Sequence, residues 1–208
     1  MRRHGNSLAT KSRMQRECGM EPRFHDGKKY VRHRLEDVFN ASAWDILSAI
    51  ERGFRAQVDV KGKLAELFLH QVLLRSQSRG EIESVQWFDK DGYPDFEIDV
   101  AGRKIRLECK NVRSGQSKFP GQHYVEIQKT RNRIEGGPGR GYKADEFEVL
   151  AACLFNQTGQ WDFLFCTTIN LERRPKLPDF LKIYQPVPFE ARGSWHATLA
   201  AALGDLGL

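Results

Sequence analysis

The stretch Gly92-Tyr-Pro-Asp-Phe-Glu-Ile-Asp-Val-Ala-Gly-Arg-Lys-Ile-Arg-Leu-Glu-Cys-Lys110 decides how this chain is read. Pro94, Phe96, Ile98 and Val100 alternate with Asp95, Glu97 and Asp99. Ile105, Leu107 and Cys109 alternate with Lys104, Arg106, Glu108 and Lys110. Successive side chains of a strand point to opposite faces, so this alternation predicts two half-buried strands. Ala101-Gly102 between them supplies a turn. With a turn of two or four residues, Asp99 faces Lys104 and Glu97 faces Arg106, both favourable pairs. Asp95 then faces Glu108, with Cβ atoms about 5 Å apart, and two like charges there repel.

A divalent cation removes that conflict. Mg²⁺ takes hard carboxylate oxygens and keeps several waters. Lys110, one strand step beyond Glu108, stands beside such an ion, where it positions a water or offsets charge building on a phosphate. Two carboxylates and a lysine at a sheet edge are therefore equipped for phosphodiester hydrolysis. The alternative is a surface hairpin with solvated charges, which alternation alone favours. The Asp95–Glu108 conflict favours function, since conflicts in an otherwise consistent pattern mark functional sites.

Pro94-Asp95, twelve intervening residues, then Glu108-Cys109-Lys110 resembles the PD-(D/E)xK motif of the restriction-endonuclease-like nucleases. Gly62-Lys-Leu-Ala-Glu66 resembles the Gly-x-x-x-Glu element on the helix that precedes the hairpin in that superfamily. The resemblance covers roughly residues 61 to 170. It implies that Asp95 and Glu108 ligate metal and that Lys110 is the catalytic lysine. It also implies that Glu66 binds metal directly or through water, and that the Cys109 backbone carbonyl completes the site. Mg²⁺ is the implied cofactor, with Mn²⁺ able to substitute. Many relatives carry Gln-x-x-x-Tyr downstream; here Gln128-Lys-Thr-Arg131-Asn132 has no tyrosine at that spacing.

The chain has 208 residues, enough for one domain with a real core. Its charge of +6 is unevenly spread. Residues 1–34 carry ten Lys/Arg and three Asp/Glu, whereas residues 35–208 carry 23 and 24. The expected organisation is a basic, flexible arm over 1–34 and a single nuclease domain over 35–208. Such an arm is either a clamp on nucleic-acid phosphates or a solvated tail. Cys18, Cys109, Cys153 and Cys166 have no CxxC spacing, so no zinc site is expected. The last three lie in apolar runs and read as buried free thiols. No apolar run approaches a membrane span and no secretory h-region is present. A cytoplasmic protein is expected.

Apolar residues from Leu35 to Phe54 recur at helical spacing, with a break expected near Asn40–Ser42. Lys61 to Ser76 reads as a second helix with Leu64, Leu67, Phe68, Val72 and Leu73 as its buried stripe. Ser84 to Phe88 reads as a strand, Ser114 to Gln122 as a loop, and Tyr124 to Arg131 as strand or helix. Gly136-Gly-Pro-Gly-Arg-Gly141 is a glycine-rich loop without the Lys-Ser/Thr ending of a nucleotide P-loop. Phe147–Phe155 and Trp161–Thr168 read as inner strands, Leu181–Val187 as an edge strand, and Ser194–Leu203 as a helix stopped by Gly204. Together these predict an α/β fold with a central mixed β-sheet flanked by helices and a restriction-endonuclease-like core.

The function expected is a metal-dependent DNA endonuclease of the restriction type, acting as a homodimer where both strands are cut. Gln128, Lys129, Arg131, Arg133 and Arg140 are candidate DNA contacts, and a partner protein is a candidate source of specificity. Two other readings stay open: a structure-selective repair or recombination nuclease of the junction-resolvase kind, and a non-catalytic nucleic-acid-binding module. Lys110→Ala is expected to abolish cleavage and leave folding largely intact.

Overall fold

A computed structural model of the chain describes residues 32–90, 92–115, 117–129 and 140–208. The described residues divide into two units between Ala49 and Ile50. The N-terminal arm below residue 32, Cys18, Arg131 and Arg133 lie outside the described residues, as does most of the glycine-rich loop.

Helix α1 (Arg34–Phe39) ends at Asn40, which takes a left-handed conformation at φ 48°. Asn tolerates that region better than most residues. The Glu36 carboxylate accepts from the His33 and Ala43 N–H groups. Helix α2 (Ala43–Arg52) follows, so the break falls at Asn40–Ser42 as the sequence predicts. Gly53, extended at φ −101°, precedes helix α3 (Phe54–Ser78). This helix is longer than the predicted Lys61–Ser76 and runs through Gly62. Its buried stripe is Ala65, Leu69, Leu73 and Ser76, while Leu67 is exposed. The stripe is thus rotated from the predicted one, and Glu66, at i−3 from Leu69, stands on its inner side.

The main sheet has the order β1-β2-β3-β5-β6. Strands β1 (Ser84–Trp87), β2 (Phe96–Val100) and β3 (Arg103–Asn111) form an antiparallel meander. β3 pairs parallel with β5 (Val149–Cys153), which pairs antiparallel with β6 (Phe163–Thr167) after the short helix α4 (Phe155–Thr158). The α/β class with a central mixed sheet therefore holds. Two small ribbons accompany it. One pairs β4 (His123–Glu126) with β9 (Tyr184–Val187), and the other pairs β7 (Arg173–Arg174) with β8 (Leu177–Leu181). The segment from Tyr124 is accordingly a strand as far as Glu126. The expected Leu181–Val187 strand is divided instead between the end of β8 and β9. β6 stands last in the sheet rather than inside it. Its edge is closed by His196, which exchanges both backbone hydrogen bonds with Phe165 at 2.8 Å. Helix α5 (Leu199–Gly204) starts later than predicted because the Thr198 hydroxyl accepts from Ala201 N–H at its N-terminus.

Period two sorts the sheet into two buried faces. Phe96, Ile98, Ile105, Leu107, Cys109, Val149, Ala151 and Cys153 pack against α3 and α5. Leu150, Ala152, Leu164 and Cys166 pack on the other side against Val125, Leu181, Val187 and Trp195. Burial on both sides makes β5 an unbroken apolar run, as expected of an inner strand with a parallel neighbour.

Candidate active site

The β2–β3 register is Val100↔Arg103, Asp99↔Lys104, Glu97↔Arg106 and Phe96↔Leu107, with a two-residue turn at Ala101-Gly102. Both turn residues have positive φ, 48° and 72°. That is the type I′ geometry whose twist matches the flanking strands. The facing pair Asp99–Lys104 forms at 3.3 Å, whereas Glu97 and Arg106 take other partners. Glu97 binds Lys104 at 2.7 Å. Arg106 binds Glu148, next to β5, at 2.6 Å. Glu148 arrives from 42 residues away and offers Arg106 two oxygens, a geometry Glu97 does not match.

Continued by two residues, the same register sets Pro94 opposite Cys109. Pro94 has no N–H, so the ladder stops there. The Cys109 N–H donates instead to Asp95 Oδ2 at 2.8 Å. Its carbonyl, on the same side of the strand, faces a residue that cannot donate to it. β3 runs on to Asn111 beside β5. The site therefore lies at the end of central strands, not at the sheet edge, because β5 occupies the far side of β3.

Leu107 and Cys109 point to the α3 face, so Glu108 and Lys110 emerge on the other, level with Leu150 and Ala152. Lys110 Nζ lies 2.5 Å from Glu108 Oε1 and 3.6 Å from Asp95 Oδ2. The Tyr142 hydroxyl donates to the same Glu108 Oε1 at 2.5 Å. The Glu108 side chain is 4% exposed, against 20% for Asp95 and 24% for Lys110. Burial pushes the Glu108 carboxyl up, with the Lys110 ammonium opposing and Asp95 adding to the rise. Burial works against the Lys110 ammonium too, but Glu108 and Asp95 outweigh it and hold Lys110 protonated well above its ordinary range. The Tyr142 hydroxyl is pushed up by burial and by Glu108, so it remains a donor. Among the described residues, Asp95 Oδ1 and Glu108 Oε2 accept no hydrogen bond, which leaves each carboxylate one uncommitted oxygen.

Glu66 is held elsewhere. Its Oε2 accepts from Trp87 Nε1 at 3.1 Å and from Lys63 Nζ at 3.0 Å, and Lys63 also binds Asp89 at 2.8 Å. It stands on helix α3, which packs on the Cys109 face of the sheet. Among the described residues no group of three or more His, Cys, Asp or Glu side chains converges as a metal cage. The structure thus joins Asp95, Glu108 and Lys110 by direct side-chain contacts and gives Glu66 other partners, Trp87 and Lys63. Cys109 is a buried free thiol, as are Cys153 and Cys166.

Of the candidate DNA contacts, Gln128 donates to Glu126 at 2.7 Å. Lys129 Nζ binds Glu146 at 2.7 Å and stands over the Tyr142 ring, 5.3 Å from its centroid. Arg140 Nε donates to the Lys129 carbonyl. Lys129 is therefore one side chain removed from Glu108. Tyr142 itself escaped the sequence reading. It is the sole aromatic residue between positions 130 and 146, and it closes the glycine-rich loop; no spacing rule singles it out.

No helix among the described residues is long and apolar enough to cross a membrane. No protein-family model matches the chain, and no curated protein matches it. Among solved structures the chain is similar to a bacterial homing endonuclease, I-Ssp6803I. The TM-score is 0.38 and the identity 19%, over 53% of this chain and 68% of that one. At that similarity nothing about fold or activity is carried across.

Proposed function

We propose that the chain is a metal-dependent DNA endonuclease of the restriction type, with a PD-(D/E)xK site at Asp95, Glu108 and Lys110. The observation that carries this reading is the Lys110 ammonium between two carboxylates, each retaining one uncommitted oxygen. The donor chemistry fits Mg²⁺, and Mn²⁺ in its place. Asp95 Oδ1, Glu108 Oε2 and the Cys109 carbonyl are hard oxygen donors, and waters complete such a shell. Bound there, the metal would polarise a phosphoryl oxygen and acidify a water.

The chain's own groups have separable roles. The Cys109 N–H fixes Asp95, so one oxygen is aimed by the backbone and the other is left for the cation. Tyr142 and Lys110 fix Glu108 through Oε1 in the same way. Lys110, held protonated by its carboxylates, is a donor rather than a general base. Its Nζ would orient the attacking water and balance charge on the phosphate. Glu66, bound to Trp87 and Lys63, would act by anchoring the loop at Asp89 instead of ligating metal. Two copies related by a two-fold axis would match the two strands of a duplex.

Supercoiled plasmid incubated with Mg²⁺ or Mn²⁺ tests this reading. Nicked or linear product that EDTA suppresses is the expected result. Folded protein that binds DNA without cutting it under either metal would favour the non-catalytic binding module.

A further inference from the structure

The loop that delivers Asp95 to the site carries an exposed aromatic platform. Tyr93 is 50% exposed. Its ring centroid lies 5.3 Å from that of Phe88 at an interplanar angle of 38°, and Lys90 Nζ stands over it at 4.4 Å. The loop is closed at its base by the Phe88 N–H donating to the Asp95 carbonyl at 2.9 Å. Within it, the Tyr93 N–H donates to the Lys90 carbonyl at 3.2 Å. Gly92, at φ +83°, supplies a conformation that side chains rarely adopt. Lys63 ties Asp89 to helix α3 at 2.8 Å. Tyr93 is thus mounted on a braced turn rather than on a free tail.

Only Pro94 separates Tyr93 from Asp95, so their Cα atoms are at most about 7 Å apart. That is about two base steps along a stacked strand. A base adjoining a phosphate at Asp95 is therefore within reach of Tyr93. A base stacked on an aromatic ring gains about 5- to 150-fold in affinity. An exposed lysine over the same ring gains only about 2- to 5-fold. The base wins that competition, and the displaced Lys90 ammonium is freed for a backbone phosphate.

We infer that Tyr93 is a nucleobase-stacking platform and Lys90 a phosphate contact flanking the bond to be cut, so the preferred substrate presents an unstacked base beside the cleavage point. The inference rests on the nuclease reading for its placement, and its test is separate. The probe is a single-stranded oligodeoxynucleotide carrying one 2-aminopurine, titrated with the full chain in EDTA so that no cleavage occurs.

Wild type should quench the 2-aminopurine on binding. Tyr93→Ala should lose the quenching and bind about 5- to 150-fold more weakly. Tyr93→Phe and Tyr93→Trp should restore both. Lys90→Gln should lower the slope of log affinity against log salt by about 0.7. Tyr93→Ala matching wild type in quenching and affinity overturns the platform, as does Tyr93→Phe behaving like Tyr93→Ala, or a wild type that does not bind the probe. Plasmid cleavage reads the other claim independently. Cleavage with no role for Tyr93 removes the platform alone, and stacking through Tyr93 without cleavage under Mg²⁺ or Mn²⁺ removes the nuclease alone.

Discussion

Asp95 Oδ2 accepts a hydrogen bond from the Cys109 backbone N–H at 2.8 Å, at the point where Pro94 ends the β2–β3 ladder. The proline creates the unpaired amide and the aspartate next to it satisfies that amide. A single dipeptide thus terminates a strand pair and aims a carboxylate.

Asp95→Ala and Asp95→Asn should therefore separate structure from chemistry. Removing the carboxylate leaves the Cys109 N–H without its acceptor, and Asp95→Ala is expected to lose about 1–3 kcal/mol of stability. The asparagine carbonyl can still accept, so Asp95→Asn should stay within about 1 kcal/mol of wild type. Urea denaturation measures both. Equal losses in the two variants would contradict the assigned role of the amide.

Lys110 is paired with the buried Glu108 carboxylate at 2.5 Å, so its removal should affect folding as well as cleavage. Lys110→Met leaves the buried Glu108 without its cation and should cost about 3–5 kcal/mol near neutral pH. The sign follows from linkage. Burial already raises Glu108 above its ordinary 4.5, and loss of Lys110 raises it further. A carboxyl whose folded value is raised loses stability as pH rises through the interval above 4.5. The variant should accordingly recover relative to wild type as pH falls. In wild type the raised Lys110 contributes stability that is full below 10.5 and is lost only as pH climbs through its higher folded value. Urea midpoints at pH 5 and pH 8 check this; a deficit that grows toward pH 5 would contradict it.

Tyr142→Phe removes only the hydroxyl that donates to Glu108 Oε1. A hydrogen bond to a charged group is worth about 1.5–3 kcal/mol, and that loss is expected in denaturation. If Glu108 binds metal, the loss of its orienting partner should also weaken Mn²⁺ binding about 10- to 100-fold. Titration calorimetry of the folded variant reads that effect, and unchanged Mn²⁺ affinity would separate Tyr142 from the site.

Gly141 lies against the end of the Arg174 side chain. A Cβ there would stand 2.6 Å from Arg174 Nη2 and 3.2 Å from its Cζ. These atoms are the far end of a flexible side chain that can shift, so Gly141→Ala should lose no more than about 1 kcal/mol, the low end of overpacking. The loss should shrink in an Arg174→Ala background, since residues in contact couple. Additive losses in the double-mutant cycle would show that the strain lies elsewhere.

Burial pushes the Cys153 thiol up to about 11 and the Cys166 thiol to about 12, and it raises Cys109 well above its ordinary range. With Cys18 replaced by serine, the folded protein at pH 8 should be inert to a thiol-disulfide reagent and react only on unfolding.

Much of the hairpin was legible because its information is local. Ala101-Gly102 sets the turn, and the turn sets the register that brings Asp95 to Glu108 and Lys110. The three buried cysteines and the break at Asn40–Ser42 were legible for the same reason. What the sequence hid depends on distant pairing. Glu148 takes Arg106 away from Glu97 only because β5 docks parallel to β3. Tyr142 reaches Glu108 across a crossover that no period describes. Glu66 sits at the spacing the motif requires, but α3 turns it toward Trp87 and Lys63. A helical wheel drawn from Leu64 and Leu67 instead of Ala65 and Leu69 misjudges that rotation. The ends of β6 and α5 depended on His196 and Thr198, whose backbone partners are tertiary or one turn away.

The most direct test of the central claim is the Mg²⁺ dependence of plasmid cleavage by wild type and Asp95→Asn, both shown to be folded. Asp95 and Glu108 sharing one divalent cation predicts saturable, EDTA-sensitive cleavage by wild type and its loss in the asparagine variant, whose fold the Cys109 N–H still supports. Cleavage by Asp95→Asn at the wild-type rate and with the same metal dependence would contradict the account.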